Sequence, residues 1–209
     1  MKWLNEDELT FPDYNEAVDG IIALGGGLSV ERLKLAYEKG IFPWFNEDEP
    51  ILWWFPDPRF VLFPDELKVS KSMKKILRDS QFTFTENTCF EEVMRNCQRI
   101  SRLGQDGTWI TDDMLNAYVQ LHHLGIARSI EVWKNGELVG GFYGIEGKRI
   151  FCGESMFTKV SNASKAGFIY FVEKYKDRYE LIDCQTHTEH LESLGAEMIS
   201  AEEFLDYLD

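Results

Sequence analysis

Apolar and polar residues alternate with a period of two through "ARSIEVWK", across the turn Asn135-Gly136 and into "ELVGGFYGIE", a pattern that predicts a β-hairpin. "KRIFCGESMF" continues it as a third strand, and "FTFT" and "YELIDCQ" read as two more. Elsewhere the period lengthens to that of a helix. Ser29 is placed to cap a short helix, Val30 to Lys39, that stops at Gly40. "TCFEEVMRNCQRI" predicts a helix with Phe90, Val93, Met94 and Cys97 on one side. "GQDGTWIT" reads as a loop, after which Thr111 caps a helix with Asp112 and Asp113 in its first turn and Gly125 at its end. "NASKAGFIYFVEKYK" is a further helix, and Ser200 with Glu203 forms a capping box before "FLDYL".

The first third is less regular. Pro43, Pro50, Pro56, Pro58 and Pro64 lie among Trp44, Phe45, Trp53, Trp54 and Phe55, a density that argues against a long helix or a central strand. It predicts a rigid, irregular segment whose indoles either pack inward or form a surface platform. "GGGLS" precedes a helix but lacks the Walker lysine and the Rossmann spacing, so it says little about nucleotide binding. The whole reads as an α+β (mixed α/β) fold without internal repeats, divided into a small N-terminal unit, 1–63, and a larger domain, 64–209.

Composition narrows the class. With 44% hydrophobic and 28% charged residues the chain is a folded, soluble type, and its aromatic content of 14% hints at a lined pocket. No apolar run approaches the roughly 18 residues of a membrane span, and "MKWLNEDELTF" lacks the order of a signal peptide, so a cytoplasmic protein with no membrane partner is expected. Cys89, Cys97, Cys152 and Cys184 form no C-x-x-C pair, and "HTEH" lacks the spacing of a zinc enzyme. Neither a disulfide nor a metal site is predicted, and His187 and His190 read as surface helix residues.

A net charge of −14 repels nucleic acid at long range. Against that background, "LKVSKSMKKILR" places Lys71, Lys74, Lys75 and Arg78 on one helical face opposite Met73, Ile76 and Leu77. The stripe is either a solvated face or a phosphate contact.

One residue is out of place. In "RIFCGESMF", alternation puts Ile150, Cys152, Glu154 and Met156 on one face and Phe151, Gly153, Ser155 and Phe157 on the other, so Glu154 has apolar neighbours either way. A carboxylate there is a strand end reaching solvent, a structural ion pair or a group with a task.

"ILWWFPDPR", "GTWIT", "RSIEVW", "LVGGFYG", "FCGESMF", "NASK" and "LIDCQ", in that order, strongly resemble the leucyl/phenylalanyl-tRNA–protein transferase family of bacteria, over about Phe11 to Leu208. The chain ends at "LDYLD", earlier than relatives with a further tail. The resemblance implies a C-terminal domain of the acyl-CoA N-acyltransferase (GNAT) type behind a small N-terminal domain. It implies transfer of Leu or Phe, and less readily Met, from aminoacyl-tRNA to the α-amine of proteins that begin with Arg or Lys, which then enter N-end pathway degradation. Such chemistry starts from an activated ester and calls for no ATP, metal, cofactor or covalent intermediate; alignment, proton removal and oxyanion stabilisation remain.

By the same resemblance Asp183 and Gln185 are the catalytic pair; alternation would place both on one face, with Cys184 opposite. Glu154 would stand beside the acceptor site and favour an incoming Arg or Lys. Phe142, Phe151, Met156, Phe171 and Tyr175 would line the pocket that selects Leu and Phe, though without the resemblance these read as core. Trp53 and Trp109 would flank the terminal adenosine, and the basic helix would hold acceptor-stem phosphates. Two other classes remain: an acetyl-CoA-dependent N-acetyltransferase, for which "VSNASKAG" supplies no pyrophosphate-binding turn, and a peptide- or RNA-binding module without turnover. The oligomeric state is not legible.

Overall fold

Two sheets share the chain, a small one of four strands and a larger one of seven. The computed structural model describes residues 2–100 and 109–208, so the loop expected at 104–111 lies mostly outside the described residues. The first sheet comprises β1 (Lys2–Leu4), β2 (Ile21–Gly25), β3 (Phe42–Pro43) and β4 (Leu52–Trp54), in the order β1-β2-β4-β3. Helix α1 (Val30–Glu38) lies between β2 and β3, with Ser29 Oγ accepting from the Arg32 backbone N–H at 3.2 Å. Gly40, at a φ of 70°, turns the chain out of it.

The second sheet begins with β5 (Arg59–Leu62), followed by helix α2 (Lys71–Arg78), β6 (Thr83–Glu86), α3 (Phe90–Arg99) and α4 (Asp112–His123). Then come β7 (Ala127–Lys134), β8 (Glu137–Glu146), β9 (Ile150–Thr158), α5 (Ala163–Tyr175) and β10 (Leu181–Gln185). Helix α6 (Glu189–Glu192), β11 (Glu197–Ile199) and α7 (Ala201–Leu205) complete it. The strand order is β11-β5-β10-β9-β8-β7-β6. Helices α3 and α4 cover one face, where α1 and Phe204 of α7 add to the apolar core; α5, with Met73 of α2, covers the other.

The expectation that the proline-rich segment holds no central strand is overturned. The proline-rich segment supplies interior strands in both sheets, β4 in one and β5 in the other, because Pro50, Pro56, Pro58 and Pro64 bracket these strands rather than interrupt them. Since β5 pairs with β10 and β11, the change from one sheet to the other precedes Arg59, earlier than a division after residue 63. His187 precedes α6 instead of lying on a helix; His190 lies within it.

The sheet's irregularities build the site. Strands β9 and β10 run parallel but pair only from Leu181 opposite Ile150 to Asp183 opposite Cys152, while β9 continues to Thr158. On β9's other side Tyr143 faces Ser155 and Gly144 faces Gly153, which leaves Glu154 as the extra residue of a bulge. A Cβ on Gly144 would sit 2.2 Å from the Cys152 carbonyl oxygen, so only glycine fits opposite. The bulge breaks the expected alternation. Beyond it Met156 joins Phe142 and Phe151 on the α5 face, and Phe157 joins Ile150 and Cys152 on the α3 side.

Candidate active site

Where β9 and β10 part company there is a cavity of about 700 Å³. Its lining includes Phe42 and Trp44 from the N-terminal unit, Trp109, Phe142, Glu154 and Met156 from the centre, and Phe168, Gln185 and Leu191 from the α5–α6 side.

Asp183 is fully buried and bound bidentately by Arg59, whose Nε and Nη2 donate at 2.8 and 2.7 Å. The Arg59 guanidinium in turn lies over the rings of Phe42 and Phe204, at 4.9 and 4.5 Å. A second bulge, at Cys184, separates Asp183 from Gln185, and Gln185 takes a left-handed φ of 64°. Its backbone N–H donates to Asp183 Oδ1 at 2.9 Å. Thus Asp183 holds the main chain of Gln185, not its side chain as simple alternation implied.

The side-chain partner is Glu154. Gln185 Nε2 donates to Glu154 Oε1 at 2.8 Å, and Tyr118 Oη donates to Glu154 Oε2 at 3.2 Å. Tyr118 is itself hydrogen-bonded to the hydroxyl of Tyr37, on α1. Burial pushes the Glu154 carboxyl up to about 7; nearby Asp183 adds to the rise, while the hydroxyl of Tyr37 behind Tyr118, and Tyr118 and Gln185 by direct hydrogen bonds to the charged form, oppose it. Burial, with Asp183 adding to it, drives the thiols of Cys152 and Cys184 well up, so neither stands ready as a thiolate nucleophile. Among the described residues no group of His, Cys, Asp and Glu is arranged to hold a metal ion.

Of the aromatic lining expected, Phe142 and Met156 face the cavity and Trp109 borders it. Phe151 and Phe171 do not: fully buried, with ring centres 4.4 Å apart, they form the layer behind Phe142. Tyr175 is turned away, its hydroxyl donating to Glu86 Oε2 at 2.5 Å and its ring lying beneath Arg128. The cavity meets the first turns of α5, at Ser164 and Phe168, whereas Phe171 and Tyr175 lie farther along the helix.

Trp53 is also corrected. Completely buried, it donates Nε1–H to the Gly25 carbonyl at 2.8 Å and packs edge-on against Phe11, so it has no face to offer a base. Trp44 is the N-terminal indole that reaches the cavity. Lys71, Lys74, Lys75 and Arg78 are exposed along α2, with Met73 turned inward, and none of them lines the cavity. The sequence reading missed Tyr37, Arg59, Tyr118, Trp44 and Phe168. Only Trp44 and Arg59 carried a signal, through their place beside the proline-rich turns.

A cavity that couples an apolar wall to an oriented amide suits a transferase that aligns two substrates. The family model for leucyl/phenylalanyl-tRNA protein transferase matches residues 61–209, and the model of that family's N-terminal domain matches 26–57. A leucyl/phenylalanyl-tRNA–protein transferase of Flavobacterium johnsoniae is 58% identical over 100% of this chain and 99% of its own. One from Pseudomonas fluorescens is 50% identical over 100% and 93%, respectively. Among solved structures, a GCN5-related N-acetyltransferase from Kribbella flavida gives a TM-score of 0.41 at 9% identity over 80% of this chain and 60% of that one, too slight a likeness to argue from.

The protein is therefore an aminoacyltransferase, acting between tRNA and protein. It belongs to the leucyl/phenylalanyl-tRNA–protein transferase family.

Proposed function

We propose that the protein moves Leu or Phe, and less readily Met, from aminoacyl-tRNA to the α-amine of cytoplasmic proteins that begin with Arg or Lys, marking them for N-end pathway degradation. The observation that carries this reading is the Gln185 amide, pinned by Glu154 and set against an apolar wall. Phe142, Met156 and Phe168 offer a recess for a large side chain unbranched at Cβ, where a difference of one methylene is worth about 1–3 kcal/mol of discrimination. Trp44 and Trp109 offer indole surface to the terminal adenosine, and the exposed basic face of α2 offers charge to the acceptor-stem phosphates.

In the reaction the acceptor's amine attacks the ester carbonyl carbon, a C–N bond forms, and the bond to the terminal ribose oxygen breaks. With Nε2 committed to a carboxylate, the Gln185 oxygen is the end free to accept from the incoming amine. Asp183, enclosed by Arg59, positions this amide through the backbone. Glu154 adds negative charge beside the acceptor, favouring cationic N-termini. Incubation with radiolabelled leucyl-tRNA and an Arg-initiated peptide tests the assignment: label is expected in the peptide, and not when Arg is replaced by Asp. Acetyl-CoA as donor is expected to give none. Transfer of acetyl instead of leucyl, or equal use of both peptides, overturns the reading.

A further inference from the structure

We propose that Glu154 takes the proton from the acceptor's α-ammonium, and that Tyr37 and Tyr118 are positioning residues that hold its carboxylate, so that the N-terminal unit supplies part of the catalytic hydrogen-bond chain. This deepens the aminoacyl-transfer reading and rests on it.

An ammonium cannot attack an ester, so the first proton has to leave before the C–N bond forms. Three groups at the cavity could be asked to take it besides Glu154. The Gln185 amide is far too weak a base. Asp183 has no exposure, and its oxygens are already engaged by two guanidinium N–H groups and a backbone N–H. His190 sits at the α6 end of the lining with its Nε2 enclosed and without a partner, and burial, with Lys165 adding to it, lowers its affinity for a proton. Glu154 differs from all of these because it is directly bonded to the amide that receives the amine. Each of its oxygens has one described donor, which leaves lone pairs for a proton.

The groups around Glu154 come from six elements. Tyr37 approaches from α1 and Tyr118 from α4, with Tyr143 of β8 packed edge-on against the Tyr118 ring. Asp183 and Gln185 belong to β10, Arg59 to β5, and Cys152 lies two residues back on β9 itself. Burial and Asp183 favour the protonated carboxyl, and the hydroxyls favour the carboxylate. The balance leaves a base that ionises near neutrality, where a proton acceptor is most effective. The α-ammonium then passes one proton to Glu154. After attack the nitrogen's second proton goes to the departing ribose oxygen, and Glu154 releases its own to solvent. One proton is set free per amide made.

The test is the pH dependence of kcat for leucyl transfer to an Arg-initiated peptide, with leucyl-tRNA saturating. Tyr118→Phe removes a donor to the carboxylate and Tyr37→Phe removes the hydroxyl that orients Tyr118, so in both the acid limb is expected to move to higher pH, by about 0.4–1 unit. Glu154→Gln is expected to lower kcat by about 10²–10⁴-fold at pH 6.5, as loss of a general base does. That deficit should narrow toward pH 9, where the amine arrives already neutral. His190→Asn is expected to leave the acid limb in place. Limbs unmoved by both tyrosine variants, even where kcat falls uniformly, overturn the inference and reduce the tyrosines to packing. Disappearance of the limb in His190→Asn overturns it in favour of the imidazole. Absence of transfer by the native protein at every pH overturns instead the function on which it rests.

Discussion

The amide nitrogen of Gln185 and the Oε1 of Glu154 lie 2.8 Å apart, and this bond decides which end of the amide meets substrate. Replacing Glu154 by Gln presents one amide to another and removes the charge beside the acceptor. The KM for an Arg-initiated peptide is expected to rise while that for leucyl-tRNA stays within about twofold, since charge-assisted hydrogen bonds carry roughly twice the strength of neutral ones. Steady-state kinetics with each substrate varied in turn make the comparison; normal acceptor kinetics in the variant would refute the role.

The indoles of Trp44 and Trp109 should behave differently from that of Trp53. Trp44 and Trp109 line the cavity, so Trp44→Ala and Trp109→Ala are each expected to weaken aminoacyl-tRNA binding by about 1–3 kcal/mol with the fold retained. Trp53, buried throughout and bonded to Gly25, should when changed to Ala cost about 3–5 kcal/mol of stability. Filter binding and urea denaturation on the same preparations separate the two effects, and a Trp53→Ala protein of native stability would contradict this arrangement.

Selection of the transferred residue is expected to depend on Phe168 more than on Phe171. Phe168 meets the cavity from the first turns of α5, while Phe171 lies in the layer behind Phe142. Phe168→Ala enlarges the recess and should shift the ratio of kcat/KM for Phe-tRNA over Leu-tRNA upward, by no more than the roughly 10–200-fold that pocket volume can confer. Phe171→Ala should chiefly destabilise the protein. Competition between the two aminoacyl-tRNAs at equal concentration measures the ratio directly.

These contrasts also mark how far the sequence could be read. Caps and turns were legible because they are local: Ser29, Thr111 and Ser200 cap the helices they precede, and Asn135-Gly136 turns the hairpin with both residues at positive φ. Strands β5 and β11 were not, since short segments near prolines show no period and owe their pairing to distant partners. The faces of β9 were misassigned beyond Glu154 because a bulge adds one residue without altering the apolar pattern around it. Asp183 and Gln185 could be singled out by resemblance, yet their division of labour depends on Arg59, which lies 124 residues away in the chain. Tyr37 and Tyr118 carried no such signal, and only the fold brings the Tyr118 hydroxyl to a carboxylate with that of Tyr37 behind it.

The basic face of α2 offers a test that is independent of the cavity. Lys71, Lys74 and Lys75 are exposed, and none makes an ion pair among the described residues. If they meet phosphates, replacing all three by Ala should weaken tRNA binding and reduce the slope of log K against log salt by up to about 0.9 for each phosphate no longer neutralised. Titrations at several salt concentrations give the slope; a value equal to that of the native protein would exclude this face.

The raised pKa of Glu154 also has a consequence for stability. In the unfolded chain this carboxyl ionises at its ordinary value of 4.5, and in the fold, chiefly through burial, at about 7. Between those limits the native state retains a proton that the unfolded state has released, so this group's contribution to stability declines as pH rises through the interval. A side chain that cannot ionise escapes the decline. Glu154→Gln is therefore expected to match the native protein below pH 4.5 and to exceed it above pH 7, by up to about 3 kcal/mol if its hydrogen bonds re-form. Urea unfolding of both proteins at pH 4.5 and pH 8 cancels the carboxylates they share and isolates the difference. A gap of the same size at both values would mean that Glu154 titrates alike in the folded and unfolded states, and would remove the basis for treating it as a base poised near neutrality.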